Sequence, residues 1–533
     1  MREALLAHLP VLPVLLPLFT AALLLALGDG AGAHGSPALG RARTVALVSA
    51  LLGLALAVLL VLQADAGGWL VYRLGAWPAP FGIVLVVDRL SALMVLLTQL
   101  LAVPVILYAS GGWDSHGRHF HALLQFLLMG LNGAFVTGDL FNLFVFFEVL
   151  LIASYVLLVH GQGRERFRFG VPYVVLNLVA SSLFLVGVAL IYAMTGTLNL
   201  ADLAVRVGQV RGTEAAVLQA GGMLLLVVFG FKAALLPLHL WLPQTYAAAC
   251  APVAALFALM TKVGVYAIWR VHGVVFGGQA GESALLVEPW LMPLALASSV
   301  VAVLGAIAAG TLPRLIAWLT IASVGTILAA VGLFTTAAWS AAMFYLVNST
   351  LVIAALFLLS ELVGAQRGEV GERLEPAGPV AQPDLLGTML LLLAASVIGL
   401  PPLPGFLGKL MILQAAEGAA APWLWTVVLL VGFLSLVCLA RAGSVLFWAV
   451  EPARGGGLSG ASPRLLLATL SLLGAMLVMV AAASPLKRYT DAAARQLADV
   501  AGAARAVLGP QMGDGAVRRY RPEDALKPQG THR

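Results

Sequence analysis

Long apolar runs constrain the fold of this 533-residue chain more than any other feature. A helix crosses a bilayer core of about 30 Å with roughly 20 apolar residues. Short segments of alternating polarity are absent, and in lipid the backbone must satisfy its own hydrogen bonds, so we predict an all-α polytopic membrane protein. Fourteen membrane-spanning runs are predicted, at residues 4–27, 43–63, 82–109, 119–137, 139–160, 171–195, 218–240, 252–271, 289–310, 314–335, 339–363, 385–414, 423–449 and 464–484.

The composition excludes several classes of protein. Hydrophobic residues make up 61% of the chain and charged residues 10%, whereas soluble domains carry about 25% charged residues. Nucleic-acid binding and cytosolic enzymes are therefore excluded. The net charge of +6 reflects the C-terminal end, because nine of the 30 Lys and Arg residues follow residue 485. Cys250 and Cys438 lie in apolar runs and are predicted to be buried, without a disulfide or a metal.

Arginines in the loops predict the orientation. With fourteen spans both termini lie on one side, and if that side is outside, the inner loops hold eleven arginines and the outer segments five. The positive-inside rule favours this arrangement. The basic tail from about Lys487 to Arg533 argues for the opposite one, but a terminal segment weighs less than short loops. Its spacing predicts an interfacial helix up to Leu508, followed by a disordered end.

Ionisable side chains inside the predicted spans are the most informative residues. Lys232, Lys262 and Lys409 lie in spans seven, eight and twelve, and Glu148 lies near the middle of span five. Each costs about 2.5–3.5 kcal/mol at the bilayer centre, so the four together cost roughly 10 kcal/mol. A purely structural interpretation is one buried Glu–Lys ion pair plus two lysines that reach the interface. Lys262 has apolar residues on both sides, so we favour a functional role.

The choice of lysine has a chemical reason. Arginine stays protonated in any protein, whereas a desolvated lysine can release its proton near neutral pH. The polar loops use arginine, while three of the five lysines lie in spans. We expect Lys232 to hold its proton when Glu148 approaches and to lose it when the two separate.

Prolines interrupt two of the spans beside buried lysines. Proline removes a helical donor and leaves carbonyls without partners, which is tolerated in a membrane only against protein or a wet cavity. The breaks recur five spans apart, which predicts two inverted five-helix repeats, spans four to eight and nine to thirteen. His239 either relays a proton from Lys232 or caps the carbonyls freed by Pro237. The predicted break residues are Pro237 in span seven and Pro401, Pro402, Pro404 and Gly405 in span twelve.

Four strings of the sequence are similar to a known family. They are NLFVFFEVLLIASY (142–155), GFKAALLPLHLWLP (230–243), KVGVY (262–266) and PPLPGFLGK (401–409). Over about residues 82–450 the chain resembles the antiporter-like subunits shared by complex I and the Mrp-type multisubunit sodium/proton antiporters. Within that family it looks most like the D-type subunit of the Mrp (Pha) antiporters.

The resemblance implies a role for each buried charge. Glu148 and Lys232 would form the coupling pair, Lys262 would continue a central hydrated axis, and Lys409 would be the far-side proton residue. Relatives often carry His and Lys in span eleven, where this chain has Asn348 and Ile353. The side-chain relay between Lys262 and Lys409 is therefore interrupted, and either water bridges it or the path takes another route.

The expected function is that of a proton-translocating subunit of a Na+/H+ antiporter in the bacterial cytoplasmic membrane. Expected partners are other Mrp-type subunits, lipid, and Na+ and H+ as transported ions. No metal spacing, nucleophile elbow or P-loop appears, so we expect no cofactor and no enzyme. The alternatives are a proton-pumping subunit of a complex I-like NADH:quinone oxidoreductase and a non-conducting scaffold. The predicted divisions are an N-terminal three-helix segment (1–118), two antiporter repeats (119–275 and 289–450), and a last helix with a basic tail (451–533).

Overall fold

The computed structural model describes residues 7–28, 36–449 and 460–509. The end predicted to be disordered, after Leu508, lies outside the described residues from position 510 onwards. The described chain is an all-α bundle, as predicted. Its first helices are α1 (Leu12–Leu27), α2 (Pro37–Gly67), α3 (Arg89–Ala109), α4 (Phe120–Val136), α5 (Leu140–Leu158), α6 (Arg164–Thr195), α7 (Leu200–Arg206), α8 (Gly212–Lys232), α9 (Trp241–Ala248) and α10 (Ala251–Ile268).

The second half of the chain continues the bundle. After α10 a π-helical segment, Trp269–Val275, extends the same helix. The remaining helices are α11 (Glu288–Ile307), α12 (Leu312–Val331), α13 (Thr336–Ala365), α14 (Pro383–Ile398), α15 (Pro404–Gln414), α16 (Ala420–Phe447), α17 (Pro463–Ala481), α18 (Ala483–Ala498) and α19 (Val500–Leu508).

Each predicted span coincides with a helix, although not every helix has full membrane length. In the described residues, 11 helical segments are long and apolar enough to cross a bilayer. Three further apolar helices, α1, α4 and α14, are shorter. The number of fourteen spans therefore stays a prediction.

Local sequence signals set where the helices begin. Asp88 precedes α3 and its side chain accepts a hydrogen bond from Ser91 N, and Asp139 before α5 accepts one from Asn142 N. Such caps satisfy backbone donors that the first turn leaves free. Pro252 stands in the first turn of α10, where its missing N–H costs nothing.

A short β-hairpin precedes α3 and was not predicted. Strands β1 (Leu70–Arg73) and β2 (Val84–Val87) pair antiparallel, with Leu70 opposite Val87 and Arg73 opposite Val84. The apolar run from residue 82 was assigned to a single span. Asp88 caps the helix at Arg89, so the β-branched residues before it form a strand instead.

Two helices form the centre of the bundle. Every residue of α10 is buried, and so is almost all of α13. Helix α8 packs on α10, α10 packs on α13, and α13 packs on α15. The helices that carry the three buried lysines are thus linked through α13.

The two ends of the bundle carry separate polar clusters. We call one the Arg166 end, where Arg43 pairs with Asp114 and Arg166 Nε donates to Ala248 O (3.1 Å). We call the other the Asp88 end, where Asp88 pairs with Arg270. Helices α18 and α19 pack at the Asp88 end, where Tyr489 Oη donates to Arg89 O (2.8 Å). The predicted helix up to Leu508 is present, and it is docked on the protein.

Candidate proton-transfer site

The first helix break separates α8 from α9. Helix α8 ends at Lys232, and the chain turns through Pro237 before α9 begins at Trp241. Neighbouring side chains satisfy the freed backbone groups: Leu236 N donates to Ser298 Oγ (2.8 Å), and Trp241 Nε1 donates to Phe231 O (3.2 Å). The break is therefore covered by protein, as a non-helical segment at membrane depth requires.

The Lys232 ammonium and the Glu148 carboxylate each bind a polar side chain of α6. We call these two side chains, Asn177 and Ser181, the bridge. Lys232 is 7% exposed, and its Nζ donates to Asn177 Oδ1 at 2.9 Å. Ser181, one turn later on α6, donates to the Glu148 carboxylate. In the described structure Glu148 and Lys232 thus meet their own polar partners instead of each other. The Nζ also lies 5.7 Å from the centre of the Phe147 ring, which favours a cation.

Lys262 lies in the middle of the wholly buried helix α10. Its side chain is fully buried, and its Nζ has no hydrogen-bond partner in the part of the chain that the structure describes. Gly264 lets α10 approach the first break, because a Cβ there would lie 2.6 Å from Ala233 N. An unpartnered buried amine is costly unless water or a proton transfer uses it.

The second break separates α14 from α15. Helix α14 ends at Ile398, and α15 begins at Pro404 after the Pro401–Pro402 pair. Lys409 Nζ donates to Val397 O and to Ile398 O, each at 2.9 Å. The lysine therefore caps the carbonyl end of α14, where a positive charge is also favoured by the helix dipole.

Asn348 and Ile353 belong to the helix that packs against both α10, which carries Lys262, and α15, which carries Lys409. Both lie on the buried helix α13, and Ser396 Oγ donates to Asn348 Oδ1 at 2.9 Å. A cavity of about 20 Å³ adjoins Lys409 and is lined by Tyr345, Asn348 and Ser349 among others. It has the size and the polar lining needed for one buried water. The structure thus shows a cavity of water size beside Lys409 and Asn348.

His239 does not cap the first break. It is 5% exposed, and neither ring nitrogen has a hydrogen-bond partner among the described residues. At this break the Phe231 carbonyl accepts from Trp241 Nε1 instead, so the capping interpretation of His239 is wrong. Its ring faces Trp318 with the centres 5.8 Å apart.

Several polar residues of the site escaped the sequence analysis. Asn177, Ser181, Ser298 and Ser396 all lie in apolar helices and touch a break or a buried charge. A single Ser or Asn in a span is too common to single out. The one available signal was the spacing of Asn177 and Ser181, which places both on one face of α6.

An ion cluster around Asp114, which lies in the loop between two predicted spans, fixes the Arg166 end. Arg43 Nε and His121 Nε2 both contact Asp114 Oδ2, at 2.6 and 2.9 Å. Burial alone would raise the pKa of Asp114, but hydrogen bonds from Arg43 and His121 lower it to about 2. Since the ordinary pKa is about 3.9, the cluster stabilises the fold above that pH. The contribution is lost as the pH falls towards the pKa of the folded state.

Both cysteines are buried and free, as predicted. Among the described residues, no group of three or more His, Cys, Asp or Glu side chains could hold a metal ion.

These features define a multi-pass, all-α membrane protein of the broken-helix type found in secondary transporters. A family model described as "NADH:quinone oxidoreductase/Mrp antiporter, TM" matches residues 137–435. The chain belongs to this family, and the predicted family is confirmed.

Comparison with individual relatives shows which type of subunit within this family the chain resembles. The chain is 40% identical to the D-type subunit of a probable K(+)/H(+) antiporter of Rhizobium meliloti (strain 1021), over 95% of this chain and 98% of the relative. It is 37% identical to the D-type subunit of a Na(+)/H(+) antiporter of Bacillus subtilis (strain 168), over 83% and 87%. Among solved structures, a chain of the Mrp complex from Dietzia sp. DQ12-45-1b matches with a TM-score of 0.81 and 29% identity, over 95% of this chain and 100% of that one. The predicted likeness to the D-type subunits is confirmed.

Proposed function

We propose that this chain is the proton-translocating subunit of a multisubunit monovalent cation/proton antiporter in the bacterial cytoplasmic membrane. Its similarity to relatives named as D-type subunits of K+/H+ and Na+/H+ antiporters supports the reaction, and the Dietzia Mrp complex supports assembly with other subunits. The transported cation is Na+ or K+. The protein acts as a secondary transporter driven by the proton gradient, and not as an enzyme.

One observation carries the proposal: three buried lysines lie on helices that are linked by packing through α13, and two of the lysines lie beside helix breaks. Lysines at such depth are retained when they pair, face water or transfer protons. We assign the coupling step to Glu148 and Lys232, the central step to Lys262 and the far-side step to Lys409. His239 is proposed as a relay between the first break and the water of the Arg166 end.

The coupling step uses the bridge through Asn177 and Ser181. In the present arrangement Lys232 is separated from Glu148, and a small displacement of α6 would bring the charges together or part them further. Contact with the carboxylate favours the protonated amine, and separation favours release. The proposed repeats, 119–275 and 289–450, each contain one break, and residues 1–118 and 451–533 flank them.

The test is cation/proton exchange by the assembled complex in everted membrane vesicles. Glu148→Ala and Lys232→Ala should each abolish exchange while the complex still assembles. Lys487→Ala is the matched control, because Lys487 is exposed on α18 and pairs with Asp491 (2.7 Å), far from both breaks in the sequence. Exchange that persists in both variants refutes the proposal, and so does equal loss in the control.

A second candidate function is a proton-pumping subunit of a complex I-like enzyme, since the family model covers both assemblies. Purification of the intact complex separates the two. Small hydrophobic antiporter subunits as partners support the antiporter, whereas iron–sulfur and flavin proteins support the enzyme. A non-conducting scaffold would take up protons independently of Lys232 and Lys262.

A further inference from the structure

A line of polar side chains leads from Lys262 to the Asp88 end. Lys262, Tyr266 and Arg270 follow at intervals of four residues, which places them along one side of the helix. Arg270 belongs to the π-helical segment Trp269–Val275, and such wide turns are frequent at functional sites. Helix α10 and this segment thus present a lysine, a phenol and a guanidinium in order from the middle to the end.

The Tyr266 hydroxyl is the central contact of this line. It donates to Phe135 O (2.7 Å) and accepts from Arg270 Nε (2.9 Å), and Ser91 Oγ lies 3.2 Å away. Tyr266 is only 3% exposed. A buried hydroxyl with several partners can take up one proton while it gives another to a neighbour.

Beyond Tyr266 the line continues through Ser91 to a carboxylate. Arg270 Nη1 and Nη2 donate to the two carboxylate oxygens of Asp88 at 2.5 and 2.6 Å, and Nη2 also donates to Ser91 Oγ at 2.9 Å. Ser91 N donates to Asp88 Oδ1 at 2.8 Å. The ion pair thus fixes the serine and tyrosine hydroxyls next to each other.

A cavity lies at the end of the line. It has a volume of about 70 Å³ and is lined by Asp88 and Arg270 together with Gln496 and Val500 from the C-terminal helices. Its volume allows more than one water molecule, and Asp88, Arg270 and Gln496 provide polar groups in a mostly apolar lining. Helices α18 and α19 cover this cavity, so it is part of the protein and not of the lipid surface.

In the direction of Lys409, Ile353 offers no polar group, and Asn348 accepts a hydrogen bond from Ser396. We propose that Tyr266, Ser91 and Asp88 form a second proton path, which connects Lys262 of the first repeat with the Asp88 end through residues of the N-terminal segment. This inference rests on the proposed function, in which Lys262 carries protons.

The transfer conserves protons at each step. The proton that leaves the Lys262 ammonium binds the Tyr266 oxygen, directly after a side-chain movement or through one water. The Tyr266 hydroxyl turns from Phe135 O to Ser91 Oγ and gives its hydrogen to Ser91, and the Ser91 hydroxyl turns from Val86 O and gives its own hydrogen to the Asp88 carboxylate. Arg270 keeps its own proton. Because Arg270 favours the ionised form of Asp88, the carboxyl group passes the proton on to the cavity.

The test uses the assembled complex in everted vesicles, with initial rates of cation-driven proton movement per assembled complex. Tyr266→Phe keeps the ring and removes the hydroxyl, and we expect about a tenfold loss of rate. Tyr108→Phe is the control, because Tyr108 is also fully buried and its hydroxyl also donates to a backbone carbonyl, Leu358 O (3.2 Å). It should keep the rate of the unmodified complex. In a Lys409→Ala background, Tyr266→Phe should remove the remaining exchange.

Other outcomes overturn the path. If Tyr266→Phe stays within about twofold of the unmodified complex, or adds nothing to Lys409→Ala, the path is wrong. If the Tyr266→Phe complex fails to assemble, the exchange rate of Ser91→Ala is measured instead, because this variant retains Tyr266 and the ion pair. A rate within about twofold of the unmodified complex then contradicts the path. Exchange that survives Lys232→Ala overturns the proposed function and this path with it. Exchange lost in Lys232→Ala and kept in Tyr266→Phe overturns the path alone.

Discussion

The two helix breaks use the same elements in different ways. Each has a proline, a buried lysine and a glycine that lets another backbone come close. At the second break Lys409 Nζ binds the carbonyls of Val397 and Ile398. At the first break Lys232 Nζ binds the Asn177 side chain, while Ser298 and Trp241 satisfy the backbone.

This difference indicates that Lys409 mainly stabilises a helix end, whereas Lys232 is available for the proposed coupling step. Lys409 satisfies carbonyls that would otherwise remain unpaired, so its position is tied to the end of α14. Lys232 binds no backbone carbonyl. Its contacts are with side chains, and these contacts can change when a side chain rotates or a helix moves. We therefore propose that a small movement changes proton affinity at the first break, and that the second break is the firmer anchor.

The largest effect is expected from filling the close contacts at the breaks. A Cβ at residue 405 would lie 1.8 Å from Ser396 O, and one at residue 264 would lie 2.6 Å from Ala233 N. Gly405→Ala should destabilise the protein by more than about 3 kcal/mol, and Gly264→Ala by less, because the backbone must move. The measurement is the amount of assembled complex that survives heating in detergent. Gly387→Ala is the control, since its nearest atom lies at 3.8 Å. Equal survival of all three variants would contradict the close packing of both breaks.

Removal of each lysine should sharpen the contrast between the breaks. Lys409→Ala leaves two carbonyls without a donor and should cost about 1–3 kcal/mol of stability. Lys232→Ala leaves no backbone carbonyl unpaired and deprives only the Asn177 side-chain oxygen of a donor, so it should cost less stability and more transport. Heat inactivation and exchange rates of the same two preparations provide the comparison. A Lys232→Ala complex that is less heat-stable than Lys409→Ala would reverse the assignment.

Removal of the Asn177 amide from the bridge at the first break should lower the exchange rate. Asn177→Ala removes the acceptor of the Lys232 ammonium and should slow exchange about tenfold, which equals about 1.4 kcal/mol. Ser181→Ala removes one hydrogen bond to Glu148 and should have a smaller effect. Initial exchange rates in vesicles test both, with Ser182→Ala as the control, because Ser182 is exposed and donates to the backbone at Leu178 O. Unchanged rates in Asn177→Ala would remove the bridge from the mechanism.

The smallest effect is expected from the backbone cap of the first break. Ser298→Ala leaves Leu236 N without its acceptor and should cost about 1 kcal/mol of stability with little change in transport. Heat survival and exchange rate are again measured together. A large loss of transport at normal stability would assign Ser298 to proton transfer.

The sequence predicted the helical architecture well because apolar length determines it. Each predicted span has its helix, and Lys232 and Lys409 lie beside broken helices because proline and lipid leave few alternatives. The hairpin of β1 and β2 was missed because an apolar run of β-branched residues resembles part of a span.

The partners of the buried charges were less predictable. That Lys232 meets Asn177 depends on how α6 packs against α8, and nothing local to either residue encodes this contact. The acceptors of Lys409 are backbone carbonyls, which have no sequence signature. The line from Lys262 to Asp88 joins α10 with the start of α3, and the two residues are 174 positions apart in the sequence. Only the folded chain shows that they belong to one line.

The exchange rate of the Lys232→Arg complex, measured in vesicles beside Lys232→Ala, tests the central claim most directly. Arginine keeps the positive charge and can donate to Asn177, but it does not release a proton. If Lys232 works by giving up its proton, Lys232→Arg must be as inactive as Lys232→Ala although the complex assembles normally. Exchange close to that of the unmodified complex would show that a fixed charge is sufficient there, and would contradict the account.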